Sequence, residues 1–383
     1  MLIDPVDITQ KLVRIPSVTP DKGECISAVS HILSSFGFHC KRIDRGGVAN
    51  LYAKYTNGSG SCLCFAGHTD VVPVADESTW TYPPYSGIIH DGWLWGRGSV
   101  DMKSGLAAFI SATHDFISST SNFDGSIAMM ITGDEEGPSI DGTVAILDDI
   151  KKNNDQINCC IVAEPTSSQV SGDTLKIGRR GSITFHVSVT GTAGHVAYPQ
   201  AAKNPVTALI KMLNYIVNCH IDNGHKGFDP STMSITTFDV NNHTTNVIPD
   251  VASATFNIRF NQMHTGRSLD HWVRNTLRNM ANNMLVSVDI TTIESGTSFT
   301  GADPQLVSLV KDSILDLPDR SEADVVLSTS GGTSDARFIK SICPVIECGL
   351  PSRYIHATDE RCRTNDVYDL HNIYKKVLLR YFA

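Results

Sequence analysis

The sequence lacks the features by which several large classes of protein are recognised. Its 383 residues carry a formal net charge of -9, which argues against broad binding to nucleic acid or to anionic membranes. No stretch approaches the roughly 18 apolar residues of a membrane-spanning helix. The N-terminus has no basic segment followed by an apolar run, so we expect a cytoplasmic protein with neither a membrane nor a nucleic-acid partner.

The ten cysteines include no Cys-x-x-Cys pair, the spacing common in redox and zinc-binding motifs. Several lie in apolar, strand-like runs, among them Cys62, Cys64, Cys159 and Cys160. Reduced thiols in a hydrophobic core explain this placement most simply. The cysteines therefore predict no disulfide framework, which agrees with a cytoplasmic protein.

Common catalytic motifs are absent as well. There is no Gly-x-x-x-x-Gly-Lys-Ser/Thr phosphate loop, no His-Glu-x-x-His helix and no serine in a Gly-x-Ser-x-Gly turn. The segment Gly96-Arg97-Gly98 begins like a dinucleotide-binding loop, but Asp101 stands where that motif needs its last glycine. These signals are too weak to support a nucleotide-binding protein or a serine hydrolase.

What the sequence does contain is two kinds of hydrophobic pattern. Up to about residue 178 and again from about 294, short apolar runs alternate with helical patterns, which is typical of an α/β layer structure. From about 179 to 293, segments of alternating apolar and polar residues and segments of helical spacing follow the order β-α-β-β-α-β. We therefore expect a discontinuous catalytic domain, residues 1–178 and 294–383, with a central, mostly parallel sheet flanked by helices. An inserted α+β domain would occupy residues 179–293.

Acidic and histidine residues follow the predicted buried strands, at the point where each strand ends. Because the carboxyl ends of parallel strands meet at one crevice of an open sheet, we expect these side chains to converge. They are His68 after Cys62–Ala66, Asp101 at a helix start, Glu135 and Glu136 after Ile127–Thr132, Glu164 after Ile157–Ala163, and His356 after Val345–Cys348. Each alone has an ordinary structural explanation, such as a helix cap or a solvated charge, but their joint placement does not.

A crevice lined by this many carboxylates would repel itself unless cations were present. Carboxylates together with two histidines are typical ligands of zinc. Asp101, Glu136 and Glu164 would supply three negative charges, so two divalent ions would leave one positive charge for a bridging hydroxide to neutralise. Glu135 is then an additional carboxylate beside the metals, which suits a general base.

The chain resembles the dinuclear zinc aminoacylase and carboxypeptidase family along nearly its whole length. Motifs of the family at large are GHTDVVP (67–73), GRGSVDMKSG (96–105), TGDEEGPSIDGT (132–143), AEPT (163–166) and HATDE (356–360). NVIP (246–249) also matches, and GRRGS (178–182), GHVAYP (194–199) and GGTSDARFI (331–339) point to a narrower branch. The resemblance implies hydrolysis of an N-acyl amide bond with two zinc ions, for which cobalt can substitute.

The resemblance also implies a role for each of the converging residues. Asp101 would bridge the two metals, and the peptide bond from it to Met102 would be cis. The remaining ligands would be His68 and Glu164 at one zinc, and Glu136 and His356 at the other. Glu135 would be the general base, and Asp70 would hold His68.

The inserted domain would be a lid and dimerisation module, so the resemblance implies a homodimer. His195 would stabilise the oxyanion in the active site of the other subunit. Positions implied in binding the substrate are Arg179, Ser182, Asn246, Arg259, Gly332 and Thr333. An arginine fork would suit a succinyl carboxylate.

The narrower branch implies hydrolysis of N-succinyl-L,L-2,6-diaminopimelate to succinate and L,L-diaminopimelate, a step of lysine and diaminopimelate biosynthesis. The nearest alternatives are an acetylornithine deacetylase or a dipeptidase of the same family. A non-catalytic metal-binding protein on the same fold is the alternative from another class. One segment departs from the family pattern, because Arg353 and Tyr354 are bulkier than the residues expected before His356. This departure bears on how the diaminopimelate end of the substrate is held.

Overall fold

The computed structural model describes residues 3–120, 122–225, 227–318 and 320–383. The chain forms two compact units. Unit 1 comprises Met1–Gly178, Gly301–Ser328 and Ser334–Ala383, and unit 2 comprises Arg179–Thr300 and Thr329–Thr333. Unit 2 begins where the inserted domain is predicted to begin and continues past residue 293. Within the described residues, no helix combines the length and the apolar character needed to cross a membrane.

The elements follow one another along the chain with short connections. Up to unit 2 they are α1 (Pro5–Val13), α2 (Glu24–Ser35), β1 (His39–Arg42), β2 (Asn50–Asn57), β3 (Cys62–His68), β4 (Ile88–His90), β5 (Trp93–Trp95), α3 (Lys103–Ser119), β6 (Gly125–Thr132), α4 (Thr143–Lys152), β7 (Cys159–Val162), β8 (Thr174–Lys176) and β9 (Gly178–Arg179). Within unit 2 they are β10 (Gly181–Thr190), β11 (Gly194–His195), α5 (Pro205–Val217), β12 (Thr232–Asp239), β13 (Val247–Ile248), β14 (Val251–Phe260), α6 (Gly266–Met284), β15 (Ser287–Gly296) and β16 (Phe299–Thr300). Unit 1 ends with α7 (Pro304–Leu315), β17 (Val326–Ser328), α8 (Ala336–Ile339), β18 (Val345–Glu347), β19 (Arg361–Arg363) and α9 (Thr364–Tyr381).

Unit 1 is built around a sheet with the strand order β1-β2-β6-β3-β7-β18-β8-β17. Its four central strands, β6, β3, β7 and β18, run parallel to one another. Strands β1 and β2 are antiparallel additions at one edge. Central strands covered on both faces must be apolar throughout, and β6 is buried along its whole length. The predicted α/β class with a central, mostly parallel sheet is thereby confirmed.

Aromatic packing fixes the central strand β3 against the helices of unit 1. Phe65 of β3 stacks on Phe109 of α3 with 5.2 Å between the ring centroids, and Tyr374 of α9 lies 5.3 Å from Phe65. The three rings are fully buried. Truncating one such core ring to alanine typically costs about 3–5 kcal/mol. The end of β3, where His68 lies, is therefore anchored in a well-packed core.

The loops that follow the central strands carry the predicted ligands. His68 is the last residue of β3, Glu135 and Glu136 follow β6, and Glu164 follows β7. Asp101 lies in the turn before α3, and the peptide bond from it to Met102 is cis, as the resemblance implies. The observed strands β7 and β18 are shorter than the apolar runs that predict them, because the ends of those runs turn out of the sheet.

Unit 2 contains an antiparallel sheet in the order β12-β14-β10-β15. Inward-facing side chains of β10 and β14 alternate with more exposed ones, and Phe185 stacks on Phe256 at 5.0 Å. Helices α5 and α6 add Leu209 and Leu277 to this core. The sequence of these elements is the predicted β-α-β-β-α-β order.

Candidate metal centre

Asp101 lies between the two histidines that are predicted as ligands. Its Oδ1 is 3.1 Å from Nε2 of His68, and its Oδ2 is 3.5 Å from Nε2 of His356. The carboxylate thus presents one oxygen to each imidazole. Two-metal hydrolytic sites hold their cations about 3.5–4 Å apart, a spacing that one carboxylate can bridge. This geometry supports the prediction that Asp101 bridges two metals.

Each histidine also lies beside a second carboxylate. Nε2 of His68 is 3.6 Å from Oε1 of Glu164, and Nε2 of His356 is 2.8 Å from Oε1 of Glu136. The pairing is the one predicted for the two metal sites. Imidazole nitrogens and carboxylate oxygens are suitable donors for transition-metal cations such as zinc. The residues present therefore fit a pair of divalent cations.

Two sets of candidate ligand atoms lie within 4.8 Å of one another. One set comes from His68, Glu135 and Glu164, and the other from His68, Asp101 and Glu136. The sets differ from the predicted partition in that the first contains Glu135, which is predicted as the base, and neither contains His356. Glu135 therefore lies close enough to the candidate ligands to act on a water held among them.

The pKa values show that the cluster attracts positive charge. Burial by itself lowers the pKa of His68, but the hydrogen bond to Asp101 and the neighbouring carboxylates raise it well above its ordinary value. Hydrogen bonds to Asp101 and Glu136 raise the pKa of His356 to about 10. Burial raises the pKa of Asp101, but the hydrogen bonds from both histidines bring it below its ordinary value. Such a site binds protons or metal ions in competition.

Stability of the metal-free protein should depend on the His356 proton. The pKa of His356 is about 10 in the folded protein, against 6.5 for the free side chain. Because the folded value is the higher one, His356 stabilises the metal-free fold fully below about pH 6.5, and this contribution is lost as the pH rises through about 10. Metal affinity should rise over the same window, by up to about tenfold per pH unit for each proton displaced.

Thermal melts of metal-free wild type and His356→Ala between pH 6 and 10.5 would measure this effect. The difference in melting temperature between the two proteins should shrink toward high pH. A difference that grows as the pH rises would contradict the raised pKa.

Glu135 has the properties of a group that takes up and returns a proton. Burial raises its pKa well above the ordinary value, and the negative charges of Glu164 and Asp335 raise it further. A carboxylate whose pKa is raised toward the working pH is a more effective general base than an ordinary one. The position and the electrostatics of Glu135 both support its predicted role.

Asp70 is fully buried and contacts both sides of the site. Its Oδ1 accepts a hydrogen bond from the N–H of Glu135 at 3.2 Å, and its Oδ2 accepts one from the N–H of Glu136 at 3.0 Å. Nδ1 of His68 lies 2.8 Å from the backbone carbonyl oxygen of Asp70 and 3.6 Å from its carboxylate. In a neutral imidazole, donation from Nδ1 leaves Nε2 available to a metal. Asp70 therefore holds the two glutamates as well as His68.

The arginines predicted to bind substrate lie together in unit 2. Arg259 is opposite Ser182 in the β10–β14 register, and Nη1 of the buried Arg179 donates to the carbonyl oxygen of Gly332 at 3.3 Å. Burial lowers the pKa of Arg259, and the positive charges of Arg180 and Arg179 lower it further. Nη1 of Arg259 is buried and has no hydrogen-bond partner among the described residues. Three guanidinium groups with a free donor favour binding of an anion.

The other predicted residues of unit 2 lie at its surface or near Arg179. Gly332 is exposed and Thr333 half-buried, in the short segment that follows unit 1. His195 and Asn246 are exposed, and the N–H of Val196 donates to the backbone carbonyl oxygen of Asn246 at 3.1 Å.

His195 has a defined hydrogen-bond state. The N–H of Ala197 donates to its Nδ1 at 3.1 Å. In the neutral imidazole the proton is then on Nε2, which is a donor. This is the tautomer that an oxyanion-stabilising histidine requires.

Two residues that sequence reasoning left without a role connect the ligand-bearing loops. Glu360 is buried and accepts hydrogen bonds from the loop of Asp101, and Arg97 forms an ion pair with Glu360. Both stand inside motifs that already contain a predicted ligand. Opposite charges in two such motifs were the available signal.

The segment that departs from the family pattern forms part of a stack of arginines and aromatic rings in unit 1. The guanidinium of Arg361 lies 4.1 Å from the ring centroid of Tyr354 and 4.4 Å from that of Trp95. Arg353 lies 5.4 Å from the ring of Tyr354 on its own side of the segment. Cation–π contacts of this kind explain the bulk of Tyr354, because it holds the segment before His356 against β5.

Comparison with known proteins extends over the whole chain. The sequence model described as "Peptidase family M20/M25/M40" matches residues 64–380. The chain is 46% identical to a "Succinyl-diaminopimelate desuccinylase" of Cereibacter sphaeroides over 388 residues, covering 100% of both chains. It is 44% identical to a protein of the same name from Paracoccus denitrificans, covering 99% of both.

Solved structures show the same fold at low sequence identity. Aminopeptidase PepT from Bacillus cereus superimposes with a TM-score of 0.80 at 18% identity, over 99% of each chain. The YXEP protein of Bacillus subtilis, described as a dinuclear metal binding peptidase, gives a TM-score of 0.75 at 12% identity, over 99% of this chain and 97% of that one. At these identities the likeness extends to the fold alone.

Proposed function

The chain belongs to peptidase family M20/M25/M40, and we propose that it hydrolyses N-succinyl-L,L-2,6-diaminopimelate to succinate and L,L-diaminopimelate. The observation that carries the proposal is the arrangement of histidine–carboxylate pairs on the two sides of Asp101. It occurs in a chain that is similar over its full length to succinyl-diaminopimelate desuccinylases. The reaction class follows from the site, and the substrate follows from the relatives.

The metals of the proposal are two zinc ions, with cobalt as a substitute. His68 and Glu164 would hold one, Glu136 and His356 the other, and Asp101 both. When bound, the two cations polarise the amide carbonyl and lower the pKa of a water molecule. Neutral histidines and ionised carboxylates are the protonation states that this binding requires.

The residues of the chain move the protons and stabilise the developing charge. Glu135 takes a proton from the attacking water and delivers it to the leaving amine, for which its raised pKa is suited. Asp70 keeps Glu135 in place through the backbone N–H. The Nε2 proton of His195 forms a hydrogen bond to the oxyanion of the tetrahedral intermediate.

The arginine cluster of unit 2 is proposed to recognise the acyl group. Arg259 has a buried free donor, and the nearby Arg179 and Arg180 add positive charge. A succinyl group carries a carboxylate, whereas an acetyl group does not. The cluster therefore favours the desuccinylase over a deacetylase acting on N-acetyl groups.

An N-acetyl analogue of the substrate should be hydrolysed poorly. A charge-assisted hydrogen bond contributes about 1.5–3 kcal/mol, so losing one should lower kcat/KM by about 10- to 150-fold. Steady-state kinetics with N-succinyl and N-acetyl diaminopimelate would measure the ratio. Arg259→Ala should reduce the preference for the succinyl form, and Asp222→Asn, elsewhere in unit 2, should not. Equal kcat/KM for both substrates in the wild type would rule out the desuccinylase and leave the family.

We further propose that unit 2 is a lid and the dimerisation domain of a homodimer. Strand β12 is an edge strand of the unit 2 sheet and exposes Ile235 (40%) and Phe238 (42%). Helix α5, which packs against β12, exposes Ile210 and Tyr215. An open edge strand beside exposed apolar side chains is a surface on which a second copy of the chain can extend the sheet.

His195→Ala should lower kcat by about 10²- to 10³-fold with zinc retained, because it removes one oxyanion donor. In a shared site, the His195 of one subunit serves the Glu135 of the other. Mixing His195→Ala with Glu135→Gln and allowing subunits to exchange should then restore activity. With equal amounts, about half of the dimers are mixed and about a quarter of all sites carry neither substitution.

Exchange itself would be followed with differently tagged subunits, so that mixed dimers are counted independently of activity. Each variant incubated alone provides the baseline. Mixed dimers without any recovery would show that His195 acts in its own subunit or not at all.

A further inference from the structure

Glu360 is a fully buried carboxylate whose hydrogen bonds go to the loop that carries Asp101. Its Oε1 accepts from the N–H of Val100 at 2.8 Å and from the N–H of Asp101 itself at 3.1 Å. Its Oε2 accepts from the N–H of Gly98 at 2.9 Å and from Nη1 of Arg97 at 2.7 Å. Four donors from one short loop therefore converge on a single side chain.

The same contacts fasten the loop of His356. Glu360 follows His356 by four residues, and its backbone carbonyl oxygen accepts from the N–H of Gly96 at 2.9 Å. The guanidinium of Arg97 extends the connection by donating to the carbonyl oxygens of His356 and Ala357, each at 3.4 Å. The loop with the bridging carboxylate and the loop with the second imidazole are thus joined at one point.

This arrangement differs from an ion pair that serves stability alone. A buried ion pair gains little net stability, because desolvation of the charges offsets their attraction. Here the charge is spent on main-chain N–H groups, and one of them belongs to the residue that lies between His68 and His356. Hydrogen bonds to an ionised acceptor are roughly twice as strong as neutral ones, so they fix the backbone of Asp101 firmly. Glu360 makes no hydrogen bond to any of the imidazole nitrogens or carboxylate oxygens of the predicted ligands.

We propose that Glu360 is a positioning residue of the metal centre, which it serves by fixing the distance between the loops of Asp101 and His356. Arg97 balances its charge and extends its hold to the His356 loop. Because Asp101 is shared, an error in its placement reaches both metals. The inference rests on the metal-dependent function proposed above, and it can be tested without substrate.

Glu360→Gln should weaken zinc binding by about 10- to 100-fold, the loss typical when a partner that orients a ligand is removed. The amide keeps the shape, but it loses the charge and presents an NH₂ group to N–H donors. Zinc affinity of the full-length protein would be measured by competition with a chelator, together with the melting temperature of the metal-free protein. Glu360→Asp keeps the charge on a shorter side chain and should recover part of the affinity, and it provides the measurement if the glutamine variant does not fold.

Asp222→Asn is the matched control. Asp222 is also a buried carboxylate that accepts from main-chain N–H groups, those of Gly224 and Ser231, but it lies in unit 2. Its substitution should lower the melting temperature and leave zinc affinity unchanged. If both Glu360 variants bind zinc like the wild type, the inference is overturned even if they are less stable. A wild-type chain that binds zinc but does not cleave the succinyl substrate would overturn the proposed function alone, and one that binds no zinc would overturn both.

Discussion

Replacing Glu135 with glutamine should lower kcat by about 10²- to 10⁴-fold, the effect typical of losing a general base. Glutamine has nearly the same shape, so Asp70 can still accept the backbone N–H of residue 135. The amide cannot take a proton from water or return one to the leaving amine. Steady-state kinetics at saturating zinc, with the zinc content of the same sample, would measure the loss.

The neighbouring Glu136→Gln is the matched control, because the two glutamates are adjacent and both are held by Asp70. Glu136 contacts His356 and is predicted as a ligand, so its substitution should lower zinc affinity as well as kcat. Glu135→Gln should retain zinc. Normal kcat in zinc-loaded Glu135→Gln would assign the base to another residue. An equal loss of zinc in both variants would make Glu135 a ligand, a result that its place beside His68 and Glu164 makes worth testing.

The parallel sheet could be predicted from the sequence because strands buried on both faces are apolar throughout. The runs Cys62–Ala66 and Ile127–Thr132 lie within β3 and β6, and their ends carry His68 and the two glutamates. Parallel strands end at one edge, so convergence of the predicted ligands followed from topology alone. The assignment of roles came from the family resemblance, which local patterns could not replace.

The support of the site could not be predicted in this way. Glu360 lies about 260 positions from Asp101 along the chain, and hydrogen bonds at that separation leave no periodic signal. The carboxylate of Asp70 was expected at His68, yet its hydrogen bonds go to the N–H groups of the glutamate loop. The bulk of Tyr354 looked like a change in substrate binding, whereas its contact with Arg361 is structural packing. In each case a tertiary contact determines what the side chain does.

Exhaustive removal of metal should abolish amide hydrolysis, and zinc or cobalt should restore it. Without cations, Glu135 and His195 remain, but water keeps its ordinary pKa and the amide carbonyl is not polarised. The carboxylates and histidines of the site would instead hold protons, which the raised pKa values of His68 and His356 indicate. Activity would be measured after dialysis against a chelator and again as zinc is added back.

The titration with zinc carries the sharper part of this prediction. If Asp101 is shared, full activity should require two equivalents of zinc per chain. Calcium prefers six to eight oxygen ligands and should not replace zinc at a site with two imidazoles. Activity at full rate in protein shown to be free of metal would remove the basis of the proposed mechanism. Full activity at one equivalent would leave the ligands in place but show that the chemistry needs a single cation, with Asp101 as an ordinary ligand of it.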